Sequence, residues 1–158
     1  MDFFKALAII SPFISAAIAG VISYLVMISG KRYDFMYQSK IPAFKDLSLS
    51  LINYKNYCLG KVANYEGNEF SPYFELEGST LQHRTVIAQV ASLNTIYFSD
   101  STRKLIDELM NSMSSLCNAE LHIASGQEFE DLESSYYSMS EKVELCITAL
   151  YKELNFGS

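Results

Sequence analysis

The sequence predicts an all-α protein: an N-terminal transmembrane helix followed by an antiparallel cytoplasmic helical bundle of about four helices. Three observations predict it. Ala6 to Ser29 is a run of 24 residues without a charged side chain, fenced by Lys5 and by Lys31-Arg32. Beyond it, apolar residues recur at three- and four-residue steps, with no strand-like alternation. The breaks between these stripes are short and carry capping residues, as in helices that fold back on one another.

Residues 1–30 are the expected anchor. A helix of 24 residues reaches about 36 Å, enough to cross a hydrocarbon core of roughly 30 Å with some tilt. Eleven large apolar side chains from Leu7 to Ile28 favour the bilayer by about 0.3–0.6 kcal/mol apiece, roughly 3–7 kcal/mol in total. A cleaved signal peptide fits less well. Ala17-Ile18-Ala19 is a loose cleavage site, but the apolar run continues from Val21 to Ile28. A buried helix of a soluble core rarely stays uncharged over such a length. Pro12, near the outer end, kinks a span without preventing the crossing.

Small residues mark one side of this segment. Ser11, Ser15, Ala19 and Ser23 form a row at four-residue steps, and Ala16 with Gly20 forms a neighbouring one. Such rows let helices approach closely in lipid, so they predict self-association; the bland alternative is that they merely dilute hydrophobicity. The span has no ionisable residue, which sets aside a proton relay or ion-coupled transport.

Residues 31–43 form a basic juxtamembrane connector, with Tyr33, Phe35, Met36 and Tyr37 suited to the headgroup level. Lys31, Arg32, Lys40 and Lys45 outnumber Lys5 on the other flank. The positive-inside rule therefore places the C-terminal body in the cytoplasm. The same collar attracts anionic lipid at about 1 kcal/mol per charge, although the orientation signal alone accounts for it. Cys58, Cys117 and Cys146 are odd in number and lack CxxC spacing, which suits buried reduced thiols.

Residues 44–156 are the expected bundle. Pro42 marks a kink or a first helical turn, after which Phe44, Leu47, Leu51, Tyr54, Cys58, Val62 and Tyr65 make one stripe, weakened modestly by Gly60. Glu66 to Gly78 reads as a loop whose Tyr73, Phe74 and Leu76 tuck onto the bundle. Ser79 or Thr80 caps a helix running through Leu81, Ile87, Val90, Ala91 and Asn94 to Tyr97-Phe98. Ser99-Asp100-Ser101 breaks it and caps the next helix, carrying Leu105, Leu109, Met113, Leu116 and Leu121 and ending near Gly126. The last helix starts acidic at Glu128, Glu130, Asp131 and Glu133 and continues through Phe129, Leu132, Tyr136, Met139, Val143, Cys146, Ile147, Leu150 and Leu154. The terminal Gly157-Ser158 is expected to be a vector-derived remnant outside the fold.

The chain advertises no reaction. HExxH, GxSxG, Walker and GxGxxG patterns do not occur, and Glu120-Leu121-His122 has the wrong spacing for a di-iron ligand pair. Neither a catalytic residue, a cofactor nor a metal is expected, and an enzyme is the least favoured class. His83-Arg84 and Arg103-Lys104 lie at two helix starts and are the candidate contacts for an anionic ligand, should those starts meet at an oligomer axis. Their plain role is solubilising charge, and adjacent antiparallel helices start at opposite ends. Tyr73, Tyr97, Tyr136 and Tyr137 suit base stacking, but tyrosine on a helix stripe is more often core. With a net charge of −6, the chain is not expected to bind nucleic acid generally.

The layout resembles a loose class of small bacterial and phage proteins. They share one N-terminal span with something like Ala19-Gly20-Val21-Ile22-Ser23-Tyr24, a basic collar and a cytoplasmic helical body. A Tyr97-Phe98-Ser99-Asp100 break before a long helix is similar too. Some members act in phage defence as membrane effectors, including CRISPR-associated ones in which a cyclic oligoadenylate binds the cytoplasmic domain. The resemblance covers architecture and carries over no ligand-binding residue. It implies an oligomeric single-span effector or sensor of a bacterial inner membrane, touching membrane lipid and recognising a protein partner or a small signal such as a nucleotide. The alternative is a tethering adaptor that recruits a soluble protein through its bundle, with the acidic last helix as docking face.

Overall fold

The computed structural model describes residues 3–74, 78–126 and 131–155, with side chains described from residue 11 onward and through 154. It is all-helical among the described residues: α1 (Phe3–Phe35), a π-helical turn (Met36–Lys40), α2 (Ile41–Glu66), α3 (Thr80–Leu93), α4 (Asp100–Ala124) and α5 (Leu132–Asn155). The chain divides into two compact units, Met1–Ile41 and Pro42–Ser158.

The first unit is α1 and the turn after it. From Ser11 through Met27 every side chain is exposed, large apolar ones included, and none of the apolar window is buried. This helix is long and apolar enough to cross a membrane. Its last turn carries Arg32, and the Tyr33 and Tyr37 rings lie 4.2 Å apart. In the π turn the Ile41 N–H donates to the Met36 carbonyl, five residues back. Pro42 follows directly. It has no N–H to give and crowds the carbonyl four residues before it, a conflict that a widened turn relieves.

The second unit has its own core. α2 buries Phe44, Leu47, Leu51, Tyr54, Cys58 and Val62, as the stripe predicts, and also Tyr57. α4 buries Ile106, Leu109, Met113 and Leu116, and α5 buries Leu132, Tyr136, Met139, Val143, Cys146, Ile147 and Leu150. Cross-helix bonds give the directions. Thr80 meets Glu120 while Arg84 meets Ser114, so α3 and α4 run oppositely. Tyr136 meets Glu120, Lys142 meets Ser112 and Glu153 meets Thr102, so α4 and α5 do too. All three cysteines are buried and unbridged.

The helix ends follow local chemistry. Ser79 and Gln82 form a reciprocal capping box at the start of α3. Ser99 caps α4, accepting from the Thr102 N–H. Gly126 follows the end of α4 with φ +82°, a conformation that glycine adopts without penalty. The third helix is shorter than the sequence suggests. Asn94 Nδ2 and Thr95 Oγ1 donate to the Val90 and Ala91 carbonyls, ending α3 at Leu93, and Thr95–Tyr97 forms a 3₁₀ turn instead. The last helix starts at Leu132, with Asp131 Oδ1 accepting from the Ser134 N–H. Glu128, Phe129 and Glu130 lie outside the described residues, as do Leu76 and Gly157-Ser158. Tyr65, Leu81 and Leu121, expected on core stripes, are exposed.

Gly60 is more than a weak point in α2. It is buried, and a Cβ there would run into the carbonyl oxygen of Tyr73, which α2 holds against itself by having no side chain at that position. Alanine gains about 1 kcal/mol over glycine in an exposed helix. Here the collision is with backbone, so Gly60→Ala should instead lose about 1–3 kcal/mol. Denaturant titration of the protein in detergent micelles measures it; a stabilised variant would show that Tyr73 does not pack there.

Candidate functional site

The apolar stripe of α4 steps from Leu109 to Met113 and Leu116, and its next position is Glu120. A carboxylate is thereby carried to the core of the second unit, and three other helices supply its donors. Tyr136 of α5 donates its hydroxyl to Glu120 Oε1 at 2.6 Å, and Tyr57 of α2 donates to the same oxygen at 3.2 Å. Thr80, the first residue of α3, donates its hydroxyl to Oε1 and its backbone N–H to Oε2. One acid thus fastens α4 to each of the other three helices and also satisfies an orphan donor at the start of α3.

Aromatic rings enclose this cluster. Tyr57 stacks near Tyr54 at 6.2 Å and meets Tyr136 edge-on at 6.1 Å. His83 lies 4.9 Å from Tyr57 and 5.4 Å from Tyr54, and Lys61 Nζ sits 5.2 Å from the Tyr57 ring centre. Burial raises the pKa of Tyr57 and of Tyr136 well above the usual phenol range, and the Glu120 carboxylate adds to both. Burial, reinforced by Glu120, pushes the Cys58 thiol up to about 12. These groups stay protonated near neutral pH, as donors rather than bases or nucleophiles.

A second carboxylate repeats the arrangement. Glu153, on the α5 stripe one turn beyond Leu150, accepts from the Ser99 N–H and hydroxyl, both at 2.8 Å, and from the Thr102 hydroxyl. The starts of α3 and α4 are each held by an acid from the helix that follows.

Burial lowers the His83 pKa, with the Glu120 charge opposing the shift. An unfolded histidine titrates near about 6.5, so just below that pH the unfolded chain takes up a proton that the folded chain refuses. Stability should therefore fall as pH drops through about 6.5 and level off below the folded value. His83→Phe keeps a ring between Tyr54 and Tyr57 and should flatten that part of the profile. An unchanged slope in a pH series of thermal unfolding would show that His83 is not held neutral.

Beside the cluster, α3 and α4 flank an open groove of about 490 Å³. Leu81 and Leu121 stand on its lips, while Arg84, Ser114, Cys117, Asn118 and Glu120 line it. Arg84 Nε donates to Ser114 Oγ at 2.9 Å, which holds the guanidinium along the groove. A groove with apolar lips that holds both a fixed cation, Arg84, and the Glu120 carboxylate suits an apolar side chain or ligand with a polar end.

The four basic residues proposed from sequence do not converge within one chain. His83 is packed between tyrosines and Arg84 lies on the groove. Arg103 pairs with Asp100 at 2.8 Å and lines a different groove with Ala91 and Thr95, while Lys104 is exposed. Of the collar, Lys31, Arg32 and Lys45 are exposed and Lys40 is half-buried. Ser11, Ser15, Ala16, Ala19, Gly20 and Ser23 are exposed along α1. Tyr136 is core at 2% exposure, Tyr137 faces solvent, and Tyr73 and Tyr97 are half-buried. Among the described residues, no three His, Cys, Asp or Glu side chains gather as a metal site.

Sequence reasoning passed over Glu120, Tyr57, Thr80 and Glu153. The signal was present: both glutamates fall on the apolar period of their helices, where a surface acid would not. No family of known proteins matches the chain, and neither does any curated protein or solved structure.

Proposed function

We propose that this chain is an oligomeric, single-span membrane effector or sensor, with its C-terminal body in the cytoplasm as an antiparallel four-helix bundle. In this reading α1 is the anchor, and its rows of Ser11, Ser15, Ala19 and Ser23 and of Ala16 and Gly20 form the self-association face. The body recognises a partner protein or a small signal such as a nucleotide, with the groove between α3 and α4 as its site. Lys31, Arg32, Lys40 and Lys45 set the orientation and meet anionic lipid. A role in phage defence belongs to the same reading through the architectural resemblance.

One observation carries the proposal. From Ser11 through Met27 the first helix leaves its apolar side chains uncovered, while the core described lies in Pro42–Ser158. Uncovered apolar surface on that scale needs another solvent, and lipid is the one that matches its length. In spheroplasts, external protease should leave the C-terminal body intact, and carbonate should not extract the protein. In detergent it should migrate as an oligomer, and replacing Gly20 and Ala16 with leucine should dissociate it. Carbonate extraction or a strictly monomeric parent would overturn the reading.

A further inference from the structure

Arg84 and Glu120 line one groove with opposite charge and do not pair. Among the described residues Arg84 joins no ion pair: its Nε donates to Ser114 Oγ at 2.9 Å, and its Nη1 and Nη2 atoms have no acceptor. Glu120 is incompletely used as well. The hydroxyls of Tyr57, Thr80 and Tyr136 crowd its Oε1, whereas Oε2 accepts the Thr80 N–H alone, at 3.2 Å. A carboxylate offers about four lone-pair sites over its two oxygens, so Oε2 keeps one. Both side chains are half-buried.

Opposite charges in a half-buried groove attract, and flexible side chains ordinarily close such a gap. These two are tied apart, Arg84 by Ser114 and Glu120 by Thr80 and the two tyrosines. Thr80 and Arg84 stand one turn apart on α3, about 6 Å, and Ser114 and Glu120 stand about 9 Å apart on α4. We infer that the groove binds a small zwitterion, an α-amino acid with an apolar side chain. Its ammonium donates to Glu120 Oε2, its carboxylate accepts from the Arg84 Nη atoms, and its side chain lies between Leu81 and Leu121. The length agrees: such a molecule, with a charge-assisted bond of about 2.8 Å at each end, spans roughly 8 Å. Charge makes the choice. An anion meets the Glu120 carboxylate and a body of net charge −6, and a cation meets the Arg84 guanidinium, whereas a ligand with both charges is repelled at neither end. The space of about 490 Å³ and the apolar lips suit a molecule of this kind. Because both charged groups are already held in place, binding orders little of the protein.

The inference rests on the groove being the recognition site, as proposed above, and narrows its ligand to a molecule carrying both charges. The test is calorimetric titration of the full chain in detergent micelles with L-leucine and L-phenylalanine. Their N-acetyl forms, which lack the ammonium, and their amides, which lack the carboxylate, are titrated beside them. Both amino acids should bind saturably at millimolar concentration or below, and each blocked form about tenfold or more weakly. Arg84→Gln should erase the preference for the amino acid over its amide while leaving the amide's affinity where it was. A variant that had merely lost its fold would weaken every compound alike, and circular dichroism checks the helical content. Glu141→Ala, on the exposed side of α5, should change nothing. Silence of both amino acids, or equal affinity for a blocked form in the parent protein, would overturn the inference. Saturable binding of ATP that Arg84→Gln abolishes, with the amino acids silent, would overturn it while keeping the groove as a recognition site. No binding by any of these compounds, together with extraction of the protein by carbonate, would sink the broader reading too.

Discussion

Glu120→Ala should lower the unfolding free energy of the cytoplasmic body by about 3–5 kcal/mol, the largest single-residue effect we expect in it. Removing this carboxylate strands the Tyr57 and Tyr136 hydroxyls and the Thr80 hydroxyl and N–H together. An unsatisfied buried polar group costs about 1–3 kcal/mol, and the four do not add fully because Glu120 is half-exposed and water reaches part of the space. A domain of this size is stable by roughly 5–15 kcal/mol, so the loss is a large share of the whole. Glu120→Gln keeps an acceptor oxygen but turns an NH₂ toward groups that are themselves donors, so it should lie between alanine and the parent. Glu141→Ala, an exposed acid on α5, is the control and should stay within about 0.5 kcal/mol. Urea titration in micelles, followed by circular dichroism, gives all three. A loss below about 1 kcal/mol for Glu120→Ala would mean that the four hydrogen bonds to Glu120 add little to the packing of the helices.

The same residue shows how far the sequence could be read. The stripes of α2, α4 and α5 were legible because Leu47, Leu51, Leu109, Met113, Val143 and Leu150 obey one period and nothing competes with them. The end of α4 at Gly126 is legible too, but the last position of its stripe is not. Leu121 is the next large apolar residue after Leu116, whereas the period points to Glu120. Hydrophobicity favours Leu121 and helical geometry favours Glu120; the structure follows geometry, and Leu121 forms a lip of the groove. Tyr57 was missed likewise: Tyr54 and Cys58 already filled the α2 stripe, and only a partner on another helix explains a third polar group beside them. Gly60 needs the carbonyl of Tyr73, thirteen residues further along, and no local pattern reveals such an approach. The early end of α3 was available in principle, since Asn94 and Thr95 compete for helix carbonyls, but Tyr97 and Phe98 kept the apolar count rising past it. Of the candidate ligand contacts, Arg84 reached a groove, and its Ser114 partner lies 30 positions away in sequence.

Replacing both Ile14 and Ile18 with arginine should release the protein from the membrane altogether. The two residues lie one helical turn apart near the middle of the uncharged run, where the bilayer is driest. The span's summed preference for lipid is roughly 3–7 kcal/mol, and each arginine at a helix centre costs about 2.5–3.5 kcal/mol. One substitution leaves the balance near neutral or still favourable, because an arginine side chain reaches toward the interface. Two bring it to zero or beyond. The pair is informative because Ile14 and Ile18 are 54% and 55% exposed. Were water the surroundings of α1, arginine at such positions would cost within about 0.5 kcal/mol and leave the partition between membrane and soluble fractions where it was. In lipid, the double variant should move to the soluble fraction on flotation, the single Ile18→Arg should split between fractions, and Ile14→Leu with Ile18→Leu should stay bound. The released double variant should still unfold cooperatively, since among the described residues its buried core runs from Phe44 to Leu150, all of it beyond α1. A double variant that floats with membranes as the parent does would remove the basis for treating α1 as a span.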